Sequence, residues 1–352
     1  MAGNAVIGEA AIRAGCQCYF GYPITPQNEL TEYMAEHLGR KKGCTFIQAE
    51  SEISAINMVY GASLAGVRTM TSSSSPGISL KQEGISYLAS NELPAVIVNV
   101  TRGGPGLGSI SASQSDYFQS TRGGGHGDYR TIVLGPSTGQ ELADLTHRAF
   151  DLADQYRIPV LILADAILGQ MMEPVEFKHE APEALPVRPD ALRGAAGRPS
   201  RIVKILSSNP RDVEELNWSL YRRYQLIAEE ETTSESFMVD DAELVVVAFG
   251  IGARIARGAV KNARGYGLKV GLFRPITLWP FPTETLAALC ETSKNFMVFE
   301  LNMGQMLEDV RLAVGDKADV FFYGRPGGVV PTPAEVLRVI ARHYYQRGCS
   351  RP

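Results

Sequence analysis

The sequence lacks the features that mark membrane-embedded, secreted and nucleic-acid-binding proteins. No apolar run approaches the roughly 20 residues that a membrane-spanning helix requires. The segment 1–11 has neither the basic start nor the hydrophobic core of a signal peptide. Charged residues make up 20% of the 352 residues and the formal net charge is −4, so no polyanion-binding surface is expected. These absences predict a cytoplasmic protein that contacts neither a membrane nor nucleic acid.

Cysteine is scarce, and its spacing does not fit a metal centre. The five cysteines do not show the spacing of a zinc site or an iron–sulfur cluster. The pair Cys16 and Cys18 could ligate a metal, but free thiols at a buried helix end or strand are the favoured interpretation. We therefore predict no metal site in this chain. The full set is Cys16, Cys18, Cys44, Cys290 and Cys349.

Short apolar runs alternate with segments of helical periodicity between residues 17 and 165. Such alternation predicts an α/β fold with a mainly parallel sheet and helices on both faces. The run AVIVNV is apolar enough for a strand that is buried on both sides. The predicted strands are 18–21, 44–48, 68–72, 94–101 and 159–165. The predicted helices are 26–38, 53–65, 80–89 and 139–156.

The composition changes after residue 180. Pro, Ala and Arg become frequent up to residue 201 and periodicity is lost, which is typical of a linker. A connecting helix is predicted at 209–230, and a new β/α unit begins at residue 243 with ELVVVAFG. We therefore predict an α/β domain at 1–180, a linker with a connecting helix at 181–240, and a smaller α/β domain at 241–352.

Polar residues follow the first, second and fourth predicted strands. Thr25 comes shortly after the first strand, Glu52 after the second and Arg102 after the fourth. Open α/β sheets bind ligands at the carboxyl ends of their strands. We therefore expect a hydroxyl, a carboxylate and a guanidinium to converge on one edge of the sheet, where they would bind a polar ligand.

Each of these three residues also has a structural explanation. Thr25 directly precedes a proline, so it fits a helix N-cap. Glu52 starts a predicted helix, where a carboxylate interacts favourably with the helix dipole. Arg102 suits planar recognition of a carboxylate, but an ion pair with Glu52 or Asp116 would also explain it.

Three further segments are weaker candidates. Serines 72–75 with the following Pro-Gly predict a polar turn that could bind an anion. The Gly- and Ser-rich segment 103–128 is long enough to form a lid, in which the roles of His126 and Arg122 stay open. The glycine pair at 250–252 hints at a dinucleotide-binding turn. Its third glycine is misplaced and the acidic ribose ligand is missing, which disfavours a nicotinamide site.

Seven motifs spread over nearly the whole chain match one known family. They are GYPITP, QAESEISAINMVYGAS, NVTRGGPG, SQSDYFQ, GGGHGDYR, LWPFP and ELNMGQ. Together they resemble the alpha subunit of 2-oxoacid:ferredoxin oxidoreductases. Within that family the resemblance is greatest to the 2-oxoisovalerate (3-methyl-2-oxobutanoate) group.

The resemblance implies a thiamine diphosphate enzyme that decarboxylates a 2-oxoacid, passes electrons through iron–sulfur clusters to ferredoxin and forms an acyl coenzyme A. It implies that the first domain is the pyrimidine-binding domain and that the last resembles the transketolase carboxy-terminal domain. Glu52 matches the glutamate that binds the aminopyrimidine ring, and Thr25 and Arg102 match groups that hold the substrate. These three are the expected catalytic residues. The other expected cofactor contacts are Tyr22, Pro23, Ile24 and Ser75.

The family also implies partner subunits. The chain lacks the GDG motif, with its following asparagines, that binds the diphosphate and its Mg²⁺. The resemblance therefore implies a beta subunit that supplies the diphosphate site, the Mg²⁺ and 4Fe–4S clusters, with gamma and ferredoxin-like delta subunits beside it. We expect a hetero-oligomer with a shared thiamine diphosphate site, which acts on a 2-oxoacid, coenzyme A and ferredoxin and is inactive as a lone chain.

Three alternatives stay open. The substrate could be 2-oxoglutarate, for which Arg122 or Arg130 would supply a second cationic group. The chain could be a non-catalytic scaffold that only buries the partner's cofactor, although the joint presence of Thr25, Glu52 and Arg102 argues against this. A nicotinamide-dependent dehydrogenase is disfavoured by the broken glycine pattern.

Overall fold

Two β-sheets with helices packed around them form the fold. The computed structural model describes residues 1–180, 182, 185 and 188–346, so Cys349 lies outside the described residues. The strands in this part are β1 (Cys18–Gly21), β2 (Thr45–Gln48), β3 (Thr69–Ser73), β4 (Ala95–Thr101), β5 (Ile132–Leu134), β6 (Pro159–Asp165), β7 (Ser234–Phe237), β8 (Leu244–Val247), β9 (Val270–Pro275), β10 (Thr277–Trp279), β11 (Asn295–Glu300) and β12 (Asp319–Gly324).

The helices pack on both faces of the sheets. None of those in the described residues is long and apolar enough to cross a lipid bilayer. Single turns of 3-10 helix lie at Leu289–Glu291 and Gly315–Lys317. The α-helices are α1 (Gly3–Arg13), α2 (Asn28–His37), α3 (Glu52–Leu64), α4 (Ser75–Ser90), α5 (Tyr117–Arg122), α6 (Gly139–Tyr156), α7 (Ala166–Gln170), α8 (Pro210–Glu230), α9 (Gly250–Gly265), α10 (Thr283–Ala288), α11 (Met306–Val314) and α12 (Pro333–Gln346).

The larger sheet has seven strands in the order β10-β5-β6-β4-β3-β1-β2. Neighbouring strands pair in parallel except for β10, which runs antiparallel to β5. Every residue of β4 and β6 is buried, as expected for central strands with helices on both faces. The five strands and four helices that the sequence predicts between residues 17 and 165 are present.

The smaller sheet has five strands in the order β12-β11-β8-β9-β7. Its strands are parallel except for β7, which pairs antiparallel with β9. Although β10 follows β9 directly, it leaves this sheet and completes the larger one, where Thr277 pairs with Leu134. The predicted α/β fold class, with mainly parallel sheets, is confirmed.

The helix after β1 starts later than the sequence predicts. The sequence predicts Thr25 as the N-cap of a helix from Pro26, but α2 begins at Asn28. The carbonyl of Thr25 accepts a hydrogen bond from Arg102 Nη1 (2.9 Å), and that of Pro26 accepts one from Asn4 Nδ2 (2.8 Å). Because both carbonyls bond to distant side chains, they do not accept the amides four residues further on. The N-cap prediction for Thr25 is therefore wrong.

Serines 72–75 do not form the predicted polar turn. Ser73 ends β3 and Ser75 begins α4, so a single residue separates the strand from the helix. All four serines are buried. The amide of Ser75 donates to Asn99 Oδ1 (3.0 Å) on β4, which fixes the start of the helix against the neighbouring strand.

Part of the segment 103–128 joins the two sheets. The backbone amide of Gln114 donates to the carbonyl of Leu301 (3.1 Å), and the side-chain Nε2 of Gln114 donates to the carbonyl of Phe249 (2.8 Å). Its Oε1 accepts the amide of Leu301 (2.9 Å). The helix α5 follows, and its Tyr117 hydroxyl donates to Asp309 (2.6 Å). This part of the segment is a fixed connection, so the lid prediction is wrong for it.

We predict that Gln114→Leu weakens the joint between the sheets. Leucine has a similar volume but leaves the Phe249 carbonyl and the Leu301 amide without their side-chain partner. Each buried unsatisfied group costs about 1–3 kcal/mol, so the free energy of unfolding should fall by about 2–4 kcal/mol in urea denaturation. Gln225→Leu on the exposed face of α8 is the matched control and should change it by less than about 0.5 kcal/mol. Equal losses in the two variants would contradict this account of Gln114.

Candidate active site

The candidate site lies at the carboxyl edge of four neighbouring parallel strands. The strands β4, β3, β1 and β2 stand side by side in the larger sheet. Arg102 directly follows β4, Ser75 follows β3, Thr25 follows β1 and Glu52 follows β2. A parallel sheet brings such residues to the same edge, where open α/β sheets bind ligands.

Glu52 is the first residue of α3 and its side chain faces the start of α4. The Ser51 hydroxyl caps α3 by accepting the amide of Ser54 (3.2 Å). Glu52 is only 6% exposed. A Cβ added at Gly77 would lie 2.6 Å from Glu52 Oε1 and 2.1 Å from Ser73 Oγ. Because real Cβ atoms do not approach other atoms so closely, only glycine fits at position 77 beside this carboxylate.

Arg102 connects the ends of three strands. Its backbone amide donates to Ser75 Oγ (3.0 Å) and its Nη1 donates to the carbonyl of Thr25 (2.9 Å). The side chain is largely buried, with 9% of the residue exposed. It does not form the ion pair with Glu52 or Asp116 that the sequence left open. Thr25, Ser75 and Arg102 therefore lie together, while Glu52 sits beside Ser73 and Gly77.

Tyr22, Pro23 and Ile24 line the outer rim of this edge. Tyr22 is 37% exposed and Pro23 is also exposed, whereas Ile24 is partly buried. The Tyr22 carbonyl accepts a hydrogen bond from Gln27 Nε2 (3.3 Å), which fixes the path of the chain after β1. Tyr22 and Pro23 are therefore accessible to solvent at this edge.

The sequence did not predict the buried polar pair Asn99 and Asp116, which lies next to Ser75. Asn99 is fully buried in β4, and its Nδ2 donates to Asp116 Oδ2 (2.9 Å) while its Oδ1 accepts the amide of Ser75. Burial raises the pKa of the Asp116 carboxyl, and hydrogen bonds from Ser75 and Asn99 oppose that shift. The signal that could have found this pair is a single asparagine in an otherwise apolar strand.

Arg122, His126 and Arg130, the charged candidates in and after the segment 103–128, do not contact Glu52. Arg122 forms an ion pair with Asp309 (2.7 Å), and Arg130 Nη1 donates to the carbonyl of Thr121 (3.4 Å). His126 is exposed. The structure therefore gives Arg122 a partner in α11 and does not bring it to Glu52.

The glycine pair at 250–252 does not offer a dinucleotide site. The Gln114 amide covers it, lying 3.1 Å from the position of an added Cβ at Gly250 and at Gly252. The Asp165 carboxylate accepts the amide of Ile251. Because these side chains occupy the amino end of α9, a pyrophosphate has no access to it.

The thiols Cys16, Cys18, Cys44 and Cys290 are free. The Cys16 Sγ contacts the carbonyl of Cys18 (3.4 Å), and burial raises the pKa of the Cys16 thiol well above its usual range. Within the described ranges, no cluster of three or more His, Cys, Asp or Glu side chains is arranged to hold a metal ion.

Two family profiles match most of the chain. A profile described as pyruvate flavodoxin/ferredoxin oxidoreductase, thiamine diphosphate binding, matches residues 9–237. A second, described as pyruvate:ferredoxin oxidoreductase core domain II, matches residues 242–336. The chain belongs to the 2-oxoacid:ferredoxin oxidoreductase family. The predicted family membership is thus confirmed.

Individual members of the 2-oxoacid:ferredoxin oxidoreductase family are similar over nearly the whole chain. The ketoisovalerate oxidoreductase subunit VorB of Methanothermobacter marburgensis is 50% identical over 96% of either chain. The 2-oxoglutarate synthase subunit KorA of Methanothermobacter thermautotrophicus is 37% identical over 97% of either chain.

A solved member of the family has the same fold. It is a 2-oxoglutarate:ferredoxin oxidoreductase from Magnetococcus marinus with 2-oxoglutarate, coenzyme A and succinyl-CoA bound, and it matches with a TM-score of 0.83 and 28% identity. The match covers 97% of this chain and 64% of that one. The chain is therefore a 2-oxoacid:ferredoxin oxidoreductase subunit and its fold is that of the family. The family's thiamine diphosphate-binding profile covers six of the seven strands of the larger sheet, β1 to β6.

We predict that Gly77→Ala displaces the Glu52 carboxylate. The added methyl group would overlap Glu52 Oε1 and Ser73 Oγ, and such overpacking costs about 1–3 kcal/mol. We expect at least a tenfold weaker affinity for thiamine diphosphate, measured by calorimetry on the complex with its partner subunits.

Gly61→Ala is the matched control for Gly77→Ala. Gly61 lies within α3, and an added Cβ there has no atom within 4 Å. Alanine should stabilise that helix by about 0.5–1 kcal/mol and leave the cofactor affinity unchanged. Unchanged affinity in Gly77→Ala as well would contradict the tight contact with Glu52.

Proposed function

We propose that this chain is the alpha subunit that binds the aminopyrimidine half of thiamine diphosphate, and that Glu52 is the acceptor for the ring nitrogen. The observation that carries the proposal is the buried Glu52 carboxylate, held against Gly77 at the strand edge where Arg102 meets Thr25. A carboxylate in a buried site makes strong, charge-assisted hydrogen bonds, which suits a protonated ring nitrogen.

Unsatisfied polar atoms around this edge support the same assignment. Within the described residues, the buried atoms Ser73 Oγ, Ser74 Oγ and Arg102 Nε have no hydrogen-bond partner. They are three of thirteen such atoms in the described residues, and these three are grouped at the strand edge beside Glu52, where a polar ligand would supply the missing hydrogen bonds. An aminopyrimidine ring presents both donors and acceptors, which matches a carboxylate, two hydroxyls and a guanidinium.

The residues of this chain would act on the 2-oxoacid by binding and orienting it. Thiamine diphosphate, when bound, supplies the nucleophilic carbon and the electron sink for decarboxylation. Arg102 Nη1 donates to the Thr25 carbonyl and its buried Nε has no partner among the described residues, so the guanidinium would have a donor left for a substrate carboxylate. The partly exposed Thr25 would contact the substrate beside it. Tyr22, Pro23, Ile24 and Ser75 would form the nearby cofactor surface.

We propose that partner subunits complete the site. The relatives that resemble the whole chain are themselves named as subunits, which supports a hetero-oligomer. The missing GDG motif supports a beta subunit that binds the diphosphate and its Mg²⁺. The family resemblance supports 4Fe–4S clusters on that subunit, with gamma and ferredoxin-like delta subunits, coenzyme A and ferredoxin as further partners. The cytoplasmic location and the domain division 1–180, 181–240 and 241–352 stay predictions of the same kind.

We propose 2-oxoisovalerate, or a similar branched-chain 2-oxoacid, as the substrate. The relative named for ketoisovalerate is 50% identical, whereas the one named for 2-oxoglutarate is 37% identical. A second substrate carboxylate would need another cation; of the two candidates, Arg122 is paired with Asp309, and Arg130 donates to the carbonyl of Thr121 (3.4 Å). This pairing favours the branched-chain acid over 2-oxoglutarate.

We predict that Glu52→Gln lowers 2-oxoacid-dependent viologen reduction by the reconstituted complex. Loss of the charged acceptor removes general acid–base help at the cofactor ring, so kcat should fall by about 10²- to 10⁴-fold. Glu50→Gln is the control, because Glu50 is exposed two residues away and bonds to Ser54 (2.7 Å). Near-normal activity of Glu52→Gln would support the non-catalytic scaffold, as would a lone beta subunit that turns over unaided.

The substrate proposal has a separate test. We expect the wild-type complex to show its highest kcat/KM with 2-oxoisovalerate in a panel that also contains pyruvate, 2-oxoglutarate and aryl 2-oxoacids. Each methyl group that fills an apolar pocket contributes about 1–3 kcal/mol, so pyruvate should be poorer by at least tenfold. A higher kcat/KM for 2-oxoglutarate would refute the branched-chain assignment.

A further inference from the structure

A buried lysine lies beside the candidate site. Lys81 is on α4 and is 0% exposed. Its Nζ donates to Thr71 Oγ1 (2.6 Å) and to the carbonyl of Ser72 (2.9 Å), both near the carboxyl end of β3. An ammonium has three protons to donate, and these two bonds account for two of them.

The bonds of Lys81 connect it to the strand that leads into the site. The Thr71 hydroxyl that accepts from Lys81 donates in turn to the carbonyl of Phe20 (2.6 Å) on β1. The segment that carries Tyr22 and Thr25 begins directly after this strand. The ammonium therefore ties the ends of β1 and β3 together at their carboxyl edge.

Lys81 also lies on α4, the helix that contacts the Glu52 side chain. Gly77, which contacts the Glu52 carboxylate, comes four residues before Lys81, and residues with this spacing share one face of a helix. Glu52 is the charged group that acts on Lys81 and favours its protonated form. On the face of α4 that packs against Glu52, Gly77 thus leaves room for the carboxylate and Lys81 supplies a positive charge.

The other groups around Lys81 are neutral. From β3 it meets the Thr71 hydroxyl and the Ser72 carbonyl. On β1, the Tyr19 hydroxyl bonds to Ser72 Oγ (2.6 Å), and burial raises the pKa of Tyr19 to about 12. Burial lowers the pKa of Lys81 to about 7, while Glu52 opposes the shift. Among the described residues, Glu52 is thus the charged group that acts on the Lys81 ammonium.

Packing alone gives no reason for a lysine here. Burying an ammonium costs far more free energy than burying a methionine of similar length, and replacing buried ions by apolar residues is often neutral or stabilising. Ionisable groups that are buried at a ligand-binding edge with shifted pKa values are typical of functional sites. Lys81 and Glu52 form no direct salt bridge, so the ammonium acts on the carboxylate through space, from the face of α4 that also carries Gly77.

We propose that Lys81 is a positioning residue whose buried ammonium is the counter-charge of Glu52 and holds that carboxylate in place for the aminopyrimidine ring. The proposal rests on the proposed function of Glu52. With Lys81 protonated, Glu52 would be the acceptor for the hydrogen bond from the ring nitrogen of the bound cofactor. When Lys81 loses its proton, that arrangement loses its electrostatic support.

The test uses neutral and charged replacements in the complex with its partner subunits. Lys81→Gln keeps a donor for Thr71 and Ser72 but removes the charge, Lys81→Met removes both, and Lys81→Arg restores the charge. Arg68→Met is the matched control, because Arg68 is a largely buried cation that precedes the same strand β3 at its opposite end and pairs with Asp151 and Asp154 (2.8 Å each). Thermal unfolding of each full chain checks that it is folded.

Three readouts separate positioning from mere structure: the thiamine diphosphate dissociation constant, the near-ultraviolet circular dichroism of the bound cofactor, and the pH profile of kcat/KM. We expect at least a tenfold weaker affinity and an altered dichroism in Lys81→Gln and Lys81→Met, with partial recovery in Lys81→Arg. The wild-type profile should fall as the pH rises through the Lys81 pKa near 7, and this limb should be absent in Lys81→Gln. Arg68→Met should change only the melting temperature.

The same variants in a Glu52→Gln background test whether Lys81 acts through Glu52. We expect Lys81→Gln to add little to the loss caused by Glu52→Gln, because the charge would then have no carboxylate to act on. Additive losses would overturn the proposal, as would an affinity and a pH profile in Lys81→Gln that equal those of the wild type. If Glu52→Gln is itself without effect, the proposed function fails and the role of Lys81 fails with it, whereas a loss in Glu52→Gln beside wild-type behaviour of Lys81→Gln rejects the role of Lys81 alone.

Discussion

The burial of the Glu52 carboxylate at the edge of a parallel sheet is the constraint on which the rest of the site depends. A buried carboxylate is costly unless charges or hydrogen bonds compensate it. Here α3 begins at Glu52, α4 leaves room for it at Gly77, and the ammonium of Lys81 lies on the same helix. These contacts require β2, β1 and β3 to end together, which only a parallel arrangement of neighbouring strands provides.

Elements with strong local signals could be predicted from the sequence. The strands β4 and β6 are almost entirely apolar runs. The helix α6 has the predicted bounds, and the Thr138 hydroxyl caps its start by accepting the amide of Glu141 (3.1 Å). The strands β7 and β10 could not be predicted in the same way. Each is short, and each depends on a strand that is distant in sequence, as with Thr277 and Leu134.

The same distinction explains the outcome for the site. The residues that follow each strand could be named because strand ends are local features, and the sheet order brings them to one edge. The conformation of Thr25 could not be predicted, because its carbonyl accepts a hydrogen bond from Arg102, 77 positions away along the chain. The segment 103–128 has the composition of a mobile loop, yet Gln114 fixes it to Phe249 and Leu301. In both cases long-range hydrogen bonds outweigh a local preference.

Buried ionisable groups alone do not identify the site, because the fold also uses them structurally. Burial raises the pKa of Glu300 to about 7 and that of Asp165 to about 6. Glu300 accepts the amides of Met306 and Leu307, and Asp165 likewise accepts amides at the start of α7, so both are saturated by helix ends.

The edge beside Glu52 differs in having polar atoms left over. Ser73, Ser74 and the Nε of Arg102 are buried there without partners among the described residues. Since an unpaired buried polar group costs about 1–3 kcal/mol, a fold that keeps three at one edge gives up stability that a saturated network would retain. Such a cost is understandable where a ligand supplies the missing bonds. Ten other buried side-chain atoms of the described residues also lack a partner, so it is the combination of unpaired atoms with a buried carboxylate at the carboxyl ends of parallel strands that distinguishes this edge from the structural acids of the core.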